Sequence, residues 1–572
     1  MDLSESWCLL GHVSYPAYPI RVWRSGECLV AMEGRIYGRG HELVAAELND
    51  LSHELFDSGK GADRLVKQWT AAQDGEYVIV LLHPARRRVF VFTDPLGRLP
   101  LYYSLDDRRL LLSRECNFIV DVQGKATFDR IALAQFLCFG YPIGTRTLFD
   151  GVQRAPAALA LSAEASRGRL QAETRAFVEH DLGQKDSPAR PIRNYASDLV
   201  DLFVAGVRAR RTEEGVPVLV SLSGGMDSRA VAAAMKRANL VGTAVTYVGL
   251  DRKGARDAAI ARRIAEALAM PWWGFSVAPA RRMDEERLVA LKVGLNYVGM
   301  AFILPMMDAI VARWGREPTL FTGDYGDKLL PRKAPYGRIP SLDRLTEHVL
   351  GEHQRIGASQ AEALFGLPAG TIAEQLHRVI AAYPEDDLGQ RSAHFWLYER
   401  GRRWIGEGED RSRFFLWQSS PFLSLPFFER AIRVPDELKD QLRLYRLFEI
   451  ELSAATASLP EATFGSSPSS AAFPAQVWLR EVGLRLPKRT RFAIKRVLGM
   501  TERFNIPAEA WMAIDGDHLT PPLASPSAVR EMLRSADEFT FSNWWTLVLL
   551  ARRWQGVGLS DPITRIPDTD EG

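Results

Sequence analysis

Two hydrophobic patterns divide the chain near residue 190. Before it, short runs of alternating apolar and polar positions are separated by Gly, Pro and Asp, which is typical of antiparallel strands joined by tight turns. The runs predicted as strands are 28–32, 77–82, 89–92, 101–104 and 110–113. After residue 190, short apolar runs alternate with stretches of helical periodicity. This alternation predicts strand–helix–strand units and a parallel sheet.

The second pattern has a regular order along the chain. Helical periodicity at 194–211 precedes the first apolar run, and further helices are predicted from Arg229 and over 255–268. The predicted strands are 216–222, 243–250, 272–277 and 318–321. Residues 184–191 are polar and contain prolines, which indicates a linker. We therefore expect a first domain over 1–185, a second over 190–560 and a frayed tail over 561–572.

One segment carries the most chemical information. It follows the apolar run at 216–222 and reads Ser223-Gly224-Gly225-Met226-Asp227-Ser228. Two glycines allow a sharp turn that brings backbone N–H groups close to a ligand, and the following helix start attracts an anion. Asp227 would repel a bare phosphate, so it is useful only if a cation lies between them. The segment therefore predicts a site for a polyphosphate with Mg²⁺, and it lacks the Gly-Lys-Ser/Thr of a Walker A loop.

Composition and charge exclude some classes of protein. Hydrophobic residues make up 47% and charged residues 25% of the 572 residues, an ordinary globular composition, and the net charge is only +2. The four cysteines have no paired spacing of a zinc site, so we expect reduced thiols, with Cys8 a small core residue. The polar, acidic N-terminus does not resemble a signal peptide, and no apolar run is long enough to span a bilayer. We expect a cytoplasmic protein with neither nucleic acid nor membrane as a partner.

Several motifs resemble those of known enzymes. Ser-Gly-Gly-x-Asp-Ser after a strand resembles the pyrophosphate loop of the ATP-pyrophosphatase superfamily, whose members cleave ATP between its α and β phosphates. The segment 322–328, Thr-Gly-Asp-Tyr-Gly-Asp-Lys, resembles the Ser-Gly-Glu-Gly-Ser-Asp-Glu loop of asparagine synthetases. The segment 94–103, Asp-x-x-Gly-x-x-Pro-Leu-Tyr-Tyr, resembles the glutaminase domain of the glutamine-dependent members, as do 33–37 and 147–152.

The resemblance implies a two-domain fold of α+β and α/β type. The first domain would be a class II glutamine amidotransferase-like, Ntn-type antiparallel β-sandwich. The second would be a parallel-sheet domain of the adenine nucleotide α-hydrolase-like (ATP-pyrophosphatase) type with a helical C-terminal part. A helix over 539–554, aromatic and apolar, is expected in a core or an interface.

The resemblance also implies cofactors and site residues. ATP and Mg²⁺ are the expected cofactors, and Asp324 aligns with a glutamate that lies near the reacting amine. Two carboxylates from separate strand ends, Asp227 and Asp327, would bind Mg²⁺, an ion that prefers oxygen ligands. The residues expected to bind ATP or pyrophosphate are Leu222, Ser223, Gly224, Gly225, Asp227, Ser228, Val248, Thr322 and Gly323.

The glutaminase motifs are incomplete. The family's nucleophile is a cysteine at position 2, where this chain has Asp2, and its oxyanion-binding Asn is replaced by Glu33. A carboxylate aimed at a developing oxyanion would destabilise it. No Arg-Leu-x-x-x-Asp segment, which binds the glutamine carboxylate in the family, occurs between Gly11 and Glu33. We expect this domain to have lost glutamine hydrolysis.

The synthetase motifs also depart from the family pattern. Tyr325 replaces a glycine, and Trp417, Ser419 and Ser424 stand where Glu, Arg and Asp are usual. The family lysine that stabilises the charge of adenylation follows a Leu-Pro pair, and no lysine follows Leu459-Pro460 here. We hypothesise that Lys328 or a more distant basic residue supplies this charge.

These observations favour an ATP-dependent carbon–nitrogen ligase. A small-molecule or peptide carboxylate would be activated as an acyl-adenylate with release of pyrophosphate, and ammonia or an amine would then form an amide. Two alternatives stay open. One is a different product from the same fold, as in a lasso-peptide or β-lactam cyclase or a sugar-acid amidotransferase; the other is a non-catalytic nucleotide-binding scaffold. The sequence also leaves a homodimer open.

Overall fold

The computed structural model describes most of the chain in ten stretches. They are residues 3–4, 7–58, 61–124, 126–178, 180–211, 215–249, 251–485, 526–534, 536–554 and 558–559. The predicted tail over 561–572 lies outside the described residues. Within them, none of the helices is both long and apolar enough to cross a membrane.

The N-terminal region forms an antiparallel sheet of six strands, as predicted. Its spatial order is Arg169–Ala176, Leu159–Ser166, Arg88–Thr93, Gly75–His83, Cys28–Ile36 and Ile20–Ser25. The helices His41–Ser58 and Ala62–Ala71 cover one face, where apolar side chains of both meet those of the sheet. The other face packs against Leu99, Leu101 and Tyr103, which belong to or precede a small sheet of Gln153–Arg154, Tyr102–Leu105 and Leu110–Ser113.

The second sheet is parallel throughout and has five strands. Its spatial order is Trp272–Ser276, Gly242–Val248, Val218–Ser221, Thr319–Phe321 and Trp417–Ser419. The central strand 218–221 is therefore flanked by the second strand in the chain on one side and by the fourth on the other. In open parallel sheets, ligands bind at the carboxyl ends of the strands where the order reverses. The reversal here lies between 218–221 and 319–321.

Helices cover the parallel sheet because their apolar faces recur at helical spacing. Ile192–Ala209 buries Tyr195, Leu199 and Phe203, and Met226–Arg237 is buried along most of its length. The helix Glu538–Arg553 is buried from Thr540 to Leu550. It packs in one core with helices from both earlier regions, which confirms its predicted core position.

The remaining elements complete the fold. The short strands are Leu3–Ser4, Leu9–Leu10, Thr127–Phe128 and Gly558–Leu559. The other α-helices are Cys116–Gln123, Arg130–Phe139, Arg252–Ala267, Arg282–Lys292, Ile303–Trp314, Gly326–Leu329, Leu342–His353, Ala358–Leu364, Thr371–Ala381, Leu388–His394, Gly406–Arg413, Leu425–Arg433, Asp436–Lys439, Arg443–Leu452, Ala454–Ala457, Ala472–Arg485 and Pro526–Arg534. Short 3₁₀ helices occur at Val298–Met300, Pro421–Leu423 and Asp440–Leu442, and a π-helix spans Phe395–Ile405.

Two local expectations were wrong. The helix after the glycine-rich segment begins at Met226, not at Arg229, so Asp227 and Ser228 occupy its first turn. Cys8 is only half-buried, whereas Cys28, Cys116 and Cys138 are core residues. The four predicted strands of the parallel sheet are confirmed with ends that shift by one or two residues, and the fifth, Trp417–Ser419, was not predicted.

Candidate active site at the strand-order reversal

The glycine-rich loop and the loop at 322–328 meet at the point where the strand order reverses. The first follows the strand Val218–Ser221 and the second follows its neighbour Thr319–Phe321. Both lie at the carboxyl ends of their strands, as the sequence predicted. The two loops therefore occupy the position where a doubly wound sheet binds its ligand.

Internal hydrogen bonds shape the glycine-rich loop. The Ser223 N–H donates to Ser228 Oγ at 2.9 Å, and the Gly225 N–H donates to Ser223 Oγ at 3.3 Å. The Gly224 N–H donates to the Asp257 carboxylate at 3.0 Å. Successive N–H groups thus all point to acceptors on one small surface. Such an arrangement of donors at a helix start suits an oxyanion, which would replace these acceptors.

A buried arginine holds the loop from behind. Arg229 is completely buried, and its guanidinium donates to the carbonyl of Gly224 at 3.2 Å and to that of Pro460 at 2.6 Å. It also donates to the carbonyls of Thr456 and Leu459. The Leu459-Pro460 pair is thereby fixed against the glycine-rich loop. A positive charge therefore lies directly beneath the surface where we expect phosphate.

The second loop approaches the first so closely that only glycine fits at two positions. A Cβ at Gly323 would lie 2.5 Å from the backbone N of Ser228 and 2.7 Å from Cβ of Asp227. A Cβ at Gly326 would lie 2.6 Å from Oδ1 of Asp227. A Cβ atom essentially never lies this close to a non-bonded heavy atom, so any side chain at either position would push the loops apart. These glycines explain why the two motifs occur together in one chain.

Asp227 and Asp327 form a pair of carboxylates between the loops. Burial, and then the charge of Asp327, raise the pKa of Asp227 to about 7. Asp327 is about half exposed at 51%; burial acts against its charge, but Lys328 and Lys333 together hold its pKa below the usual value. A cation between the two carboxylates would relieve their repulsion.

The two carboxylates fit Mg²⁺ only if substrate phosphates and waters supply its other ligands. Among the described residues, no group of three or more His, Cys, Asp or Glu side chains could hold a metal ion. Mg²⁺ is usually bound by one or two carboxylates together with substrate phosphates and waters. Asp227 and Asp327 provide that minimum, with the Tyr445 hydroxyl donating a hydrogen bond to Asp227 Oδ1.

Asp324 lies in a polar cluster at the ends of the last two strands. Its carboxylate accepts hydrogen bonds from Thr322 Oγ1 at 2.7 Å and from Gln418 Nε2 at 3.2 Å. Burial raises its pKa, and Arg411 partly opposes this effect. The sequence predicts that this position lies near the reacting amine, where a carboxylate held by two donors could accept a proton.

The remaining predicted nucleotide-binding residues divide into two groups. Thr322, Gly323 and the residues 223–228 converge between the loops, as described above. The Leu222 side chain is buried, its N–H donates to the Val245 carbonyl, and its own carbonyl accepts from Thr246. Val248 is half-buried at the end of the next strand. Leu222 therefore shapes the sheet, while Val248 lies at its carboxyl edge; their contacts with a nucleotide stay predictions.

The structure identifies a lysine that the motif search missed. Lys328 forms an ion pair with Asp327. Lys333 acts on the same carboxylate, but no carboxylate lies within ion-pair distance of it in the described part of the chain. Burial lowers the pKa of Lys333 to about 8. Lys333 is therefore better placed than Lys328 to supply uncompensated positive charge to phosphate.

We expect Lys333→Ala to lower the rate of carboxylate-dependent ATP–pyrophosphate exchange about 10²-fold, the cost of removing one preorganised electrostatic group. Lys328→Ala should lower it less, because Asp327 already neutralises that charge. Initial exchange rates at saturating ATP measure both effects, with exposed Lys236→Ala as the matched control. A large loss in Lys328→Ala together with parental exchange in Lys333→Ala would restore the hypothesis made from sequence.

A second buried acid lies behind the loop and gives a pH-dependent prediction. Glu449 is fully buried, and neither of its carboxylate oxygens has a hydrogen-bond partner among the described residues. Burial raises its pKa to about 8, although Arg229 opposes the shift. The folded protein thus retains a proton that the unfolded chain releases near pH 4.5. Stability should fall as the pH rises between these two values.

We expect Glu449→Gln to match the parent protein in stability at pH 5 and to exceed it at pH 9 by up to about 4 kcal/mol. The amide keeps the shape of the protonated acid and cannot ionise. Thermal midpoints of both proteins at the two pH values test this. Glu451→Gln, an exposed change on the same helix, is the control. Equal midpoints of Glu449→Gln and parent at pH 9 would contradict the raised pKa.

Two of the residues that depart from the asparagine synthetase pattern, Trp417 and Ser419, face the N-terminal domain. Trp417 is buried and donates from Nε1 to the Tyr37 hydroxyl at 3.1 Å. Ser419 donates to Glu76 and accepts from Arg210 Nε at 3.2 Å. The replacement of the family residues at positions 417 and 419 therefore changes the contact between the two domains.

Buried ion pairs cross this contact in a network of two clusters. Glu76 pairs with Arg98 at 2.5 Å and with Arg413 at 2.7 Å. Further along, Lys292 lies between Glu407 at 2.8 Å and Asp410 at 2.5 Å. Other pairs are Arg210–Asp74, Arg154–Glu407, Arg114–Asp410 and Arg114–Glu33. Because each charge is desolvated, the network depends on every partner being present.

Glu33 is fixed within this network. Arg114 Nε donates to its carboxylate at 2.9 Å, and the Tyr18 hydroxyl donates to the same oxygen. Both neighbours are donors to this carboxylate, and a carboxylate has no hydrogen to donate to an oxyanion. Loss of glutamine hydrolysis from this domain stays a prediction.

Two family models match the chain. The model of the glutamine amidotransferase domain matches residues 16–174, and the asparagine synthase model matches residues 199–291. The chain is asparagine synthetase-like. The second match includes the glycine-rich loop and ends before the loop at 322–328. The two matches support an asparagine synthetase-like ligase with an amidotransferase-type N-terminal domain.

Comparisons with individual proteins give less information than the family models. No curated protein sequence matches this asparagine synthetase-like chain. Among solved structures, glutamine phosphoribosylpyrophosphate amidotransferase from B. subtilis, complexed with ADP and GMP, is similar at 14% identity. The match covers 55% of this chain and 65% of that one, just under two thirds, with a TM-score of 0.18.

Proposed function

We propose that the chain activates a carboxylate with ATP as an acyl-adenylate and then joins the acyl group to ammonia or an amine. The observation that supports this most strongly is the meeting of two loops at the strand-order reversal. There Asp227 and Asp327 face each other, and Gly323 and Gly326 allow the close approach. A lone phosphate-binding loop would need neither the second carboxylate nor these glycines.

The first step uses the donors of the glycine-rich loop. A carboxylate oxygen of the substrate attacks the α-phosphorus, and the bond to the β-phosphate oxygen breaks. The leaving pyrophosphate is held by the N–H groups of 223–225 and the hydroxyls of Ser223 and Ser228. Mg²⁺, when bound at Asp227 and Asp327, would neutralise part of the phosphate charge. Arg229 and Lys333 add positive charge, so the site stabilises the charge that develops on the leaving group.

The second step uses the cluster around Asp324. The amine attacks the acyl carbon, the bond to AMP breaks, and the amine loses a proton as the amide forms. AMP leaves with one oxygen that came from the substrate carboxylate. Asp324 lies at the ends of the last two strands, and Thr322 and Gln418 orient its carboxylate. We assign the proton to Asp324 for that reason.

ATP–[³²P]pyrophosphate exchange across a panel of carboxylates tests this proposal. We expect exchange that requires one class of acid, and amide formation from that acid with ammonium but not with glutamine as the nitrogen source. Release of ADP and phosphate with the same acid would contradict adenylation. Product formation with glutamine alone, together with glutamate release, would contradict the loss of glutaminase activity.

A further inference from the structure

Positively charged side chains without acidic partners extend outward from the proposed site. Most buried arginines and lysines at the domain contact are paired, as Arg98, Arg413 and Lys292 are. Lys333, Arg400 and Arg355, by contrast, have no carboxylate within ion-pair distance in the described stretches of the chain. An unpaired guanidinium that is half-buried is costly unless a ligand compensates it.

The π-helix arranges part of this surface. A π-helix closes its hydrogen bonds between residues five apart and so has more residues per turn than an α-helix. Trp396, Arg400 and Trp404, spaced by four, therefore stay on one face of Phe395–Ile405. The Arg400 guanidinium lies 5.5 Å from the centre of the Trp396 ring and 4.3 Å from that of Trp404. Single π-helical turns often mark functional sites, and this one lasts 11 residues.

The same face connects to the active site at one end. Lys333 Nζ lies 5.1 Å from the Trp396 ring, and both Lys333 and Arg400 lower the pKa of Asp327. At the other end, Tyr297 stacks on Trp404 with 6.1 Å between ring centres and packs against Phe539 at 4.9 Å. Arg355, which is exposed, covers the Phe539 ring at 4.6 Å.

Seven side chains thus form one continuous surface, the cation–aromatic wall. Its members are Lys333, Trp396, Arg400, Trp404, Tyr297, Phe539 and Arg355. Six successive contacts of 4.3–6.1 Å join them. Acidic side chains act on both ends: Asp327 acts on Lys333 and Arg400, and Glu538 acts on Tyr297. The charged members of the wall itself are all cations.

We propose that the cation–aromatic wall binds an acidic peptide segment that carries the carboxylate to be activated. This inference rests on the proposed function. The wall is far longer than a single amino acid, so a free amino acid would leave most of it uncovered. Arginine guanidinium groups bind carboxylates with two parallel hydrogen bonds, and ring faces bind apolar and aromatic side chains. A peptide supplies both kinds of group at regular intervals.

The composition of the wall favours a peptide over a sugar acid. None of its seven members is Asn, Gln, Asp or Glu, the side chains whose carbonyl or carboxylate oxygens would accept hydrogen bonds from sugar hydroxyls. Its charged donors, Lys333, Arg355 and Arg400, are cations that prefer anions. A chain of acidic and aromatic residues therefore satisfies the wall more fully than an oligosaccharide does.

Fluorescence anisotropy with a fluorescein-labelled (Glu-Gly-Phe)₃ peptide tests the inference. We expect the parent protein to bind this peptide and Arg355→Gln/Arg400→Gln to bind it at least about 10-fold more weakly, the loss of two charge-assisted contacts. Arg355→Lys/Arg400→Lys should retain part of the affinity. The control is Arg344→Gln/Arg378→Gln, which changes two exposed arginines paired within their own helices. It should bind as the parent does.

Two comparisons keep the outcome decisive even if the double variant folds poorly. With the parent protein, (Gln-Gly-Phe)₃ and (Lys-Gly-Phe)₃ should bind much more weakly than the acidic peptide. Labelled trigalacturonate binding more tightly than the peptide, or equal binding of the three peptides, would overturn the inference. Binding of a fluorescent ATP analogue should be unchanged in Arg355→Gln alone, the member at the outer end of the wall. If the parent protein did not bind the ATP analogue, this would count against the proposed function, and the peptide measurements would still test the inference.

Discussion

Replacing Asp227 with alanine is expected to lower carboxylate-dependent ATP–pyrophosphate exchange by at least about 10²-fold. The side chain of Asp227, in the first loop, packs against the second loop where Gly323 and Gly326 leave room for it. Without it, Asp327 alone would have to hold Mg²⁺, which normally needs a fixed octahedral set of oxygens. Exchange rates measured over a range of Mg²⁺ concentrations would show the loss.

The same variant should not lose stability. The pKa of Asp227 is raised to about 7 by burial and by Asp327, so its ionised form destabilises the free protein. That unfavourable contribution grows as the pH rises from 3.8 to about 7, is constant above this range, and is absent from the alanine variant. Asp308→Ala, an exposed change elsewhere, is the control for exchange. If Asp227→Ala exchanged pyrophosphate at the rate of the parent protein, or unfolded at a lower temperature than the parent at pH 8, this account of the site would be contradicted.

Replacing Lys292 with methionine is expected to destabilise the protein by about 3–5 kcal/mol. Its ammonium group lies between Glu407 and Asp410, and its side chain is 4% exposed. Methionine fills a similar volume but leaves two buried carboxylates with one fewer cation. Arg114 and Lys292 keep the pKa of Asp410 far below its usual value, so this network stabilises the protein above the carboxyl range and weakens as the pH falls.

Scanning calorimetry at one scan rate measures this effect. We expect a lower midpoint in Lys292→Met and separation of the N-terminal and synthetase unfolding transitions, because the network links the two. Lys236→Met, a change at an exposed lysine, should stay within about 0.5 kcal/mol of the parent. A Lys292→Met profile that superimposes on the parent profile would show that the ion pairs do not hold the domains together.

The elements of the parallel sheet could be predicted because their signals are local. A buried parallel strand reads as a short apolar run, and 218–221, 242–248 and 319–321 all do so. The fifth strand, Trp417–Ser419, was missed because it is three residues long and mixes Trp, Gln and Ser. The helix start at Met226 was placed too late because Asp227 and Ser228 are common at helix starts and in turns alike.

Only the parts of the site that belong to a sequence motif were predicted. Both loops contain glycines that the close approach requires, so their pattern is visible in the sequence. Lys333 and Arg400 belong to no motif, and they reach Asp327 only through the folding of the segments between them. The ion pairs join partners such as Glu76 and Arg413, which lie 337 residues apart. The periodicity of a sequence does not indicate pairs so far apart along the chain. Charged residues in a sequence are also normally expected on the surface.

The most direct test of the central proposal follows an oxygen atom. The acid identified by the exchange screen is prepared with ¹⁸O in its carboxylate and incubated with ATP, Mg²⁺ and ammonium. If the carboxylate attacks the α-phosphorus, ³¹P NMR and mass spectrometry will show one ¹⁸O in the AMP and none in pyrophosphate. Label in inorganic phosphate with ADP as the nucleotide product would contradict adenylation and the account of the site built on it.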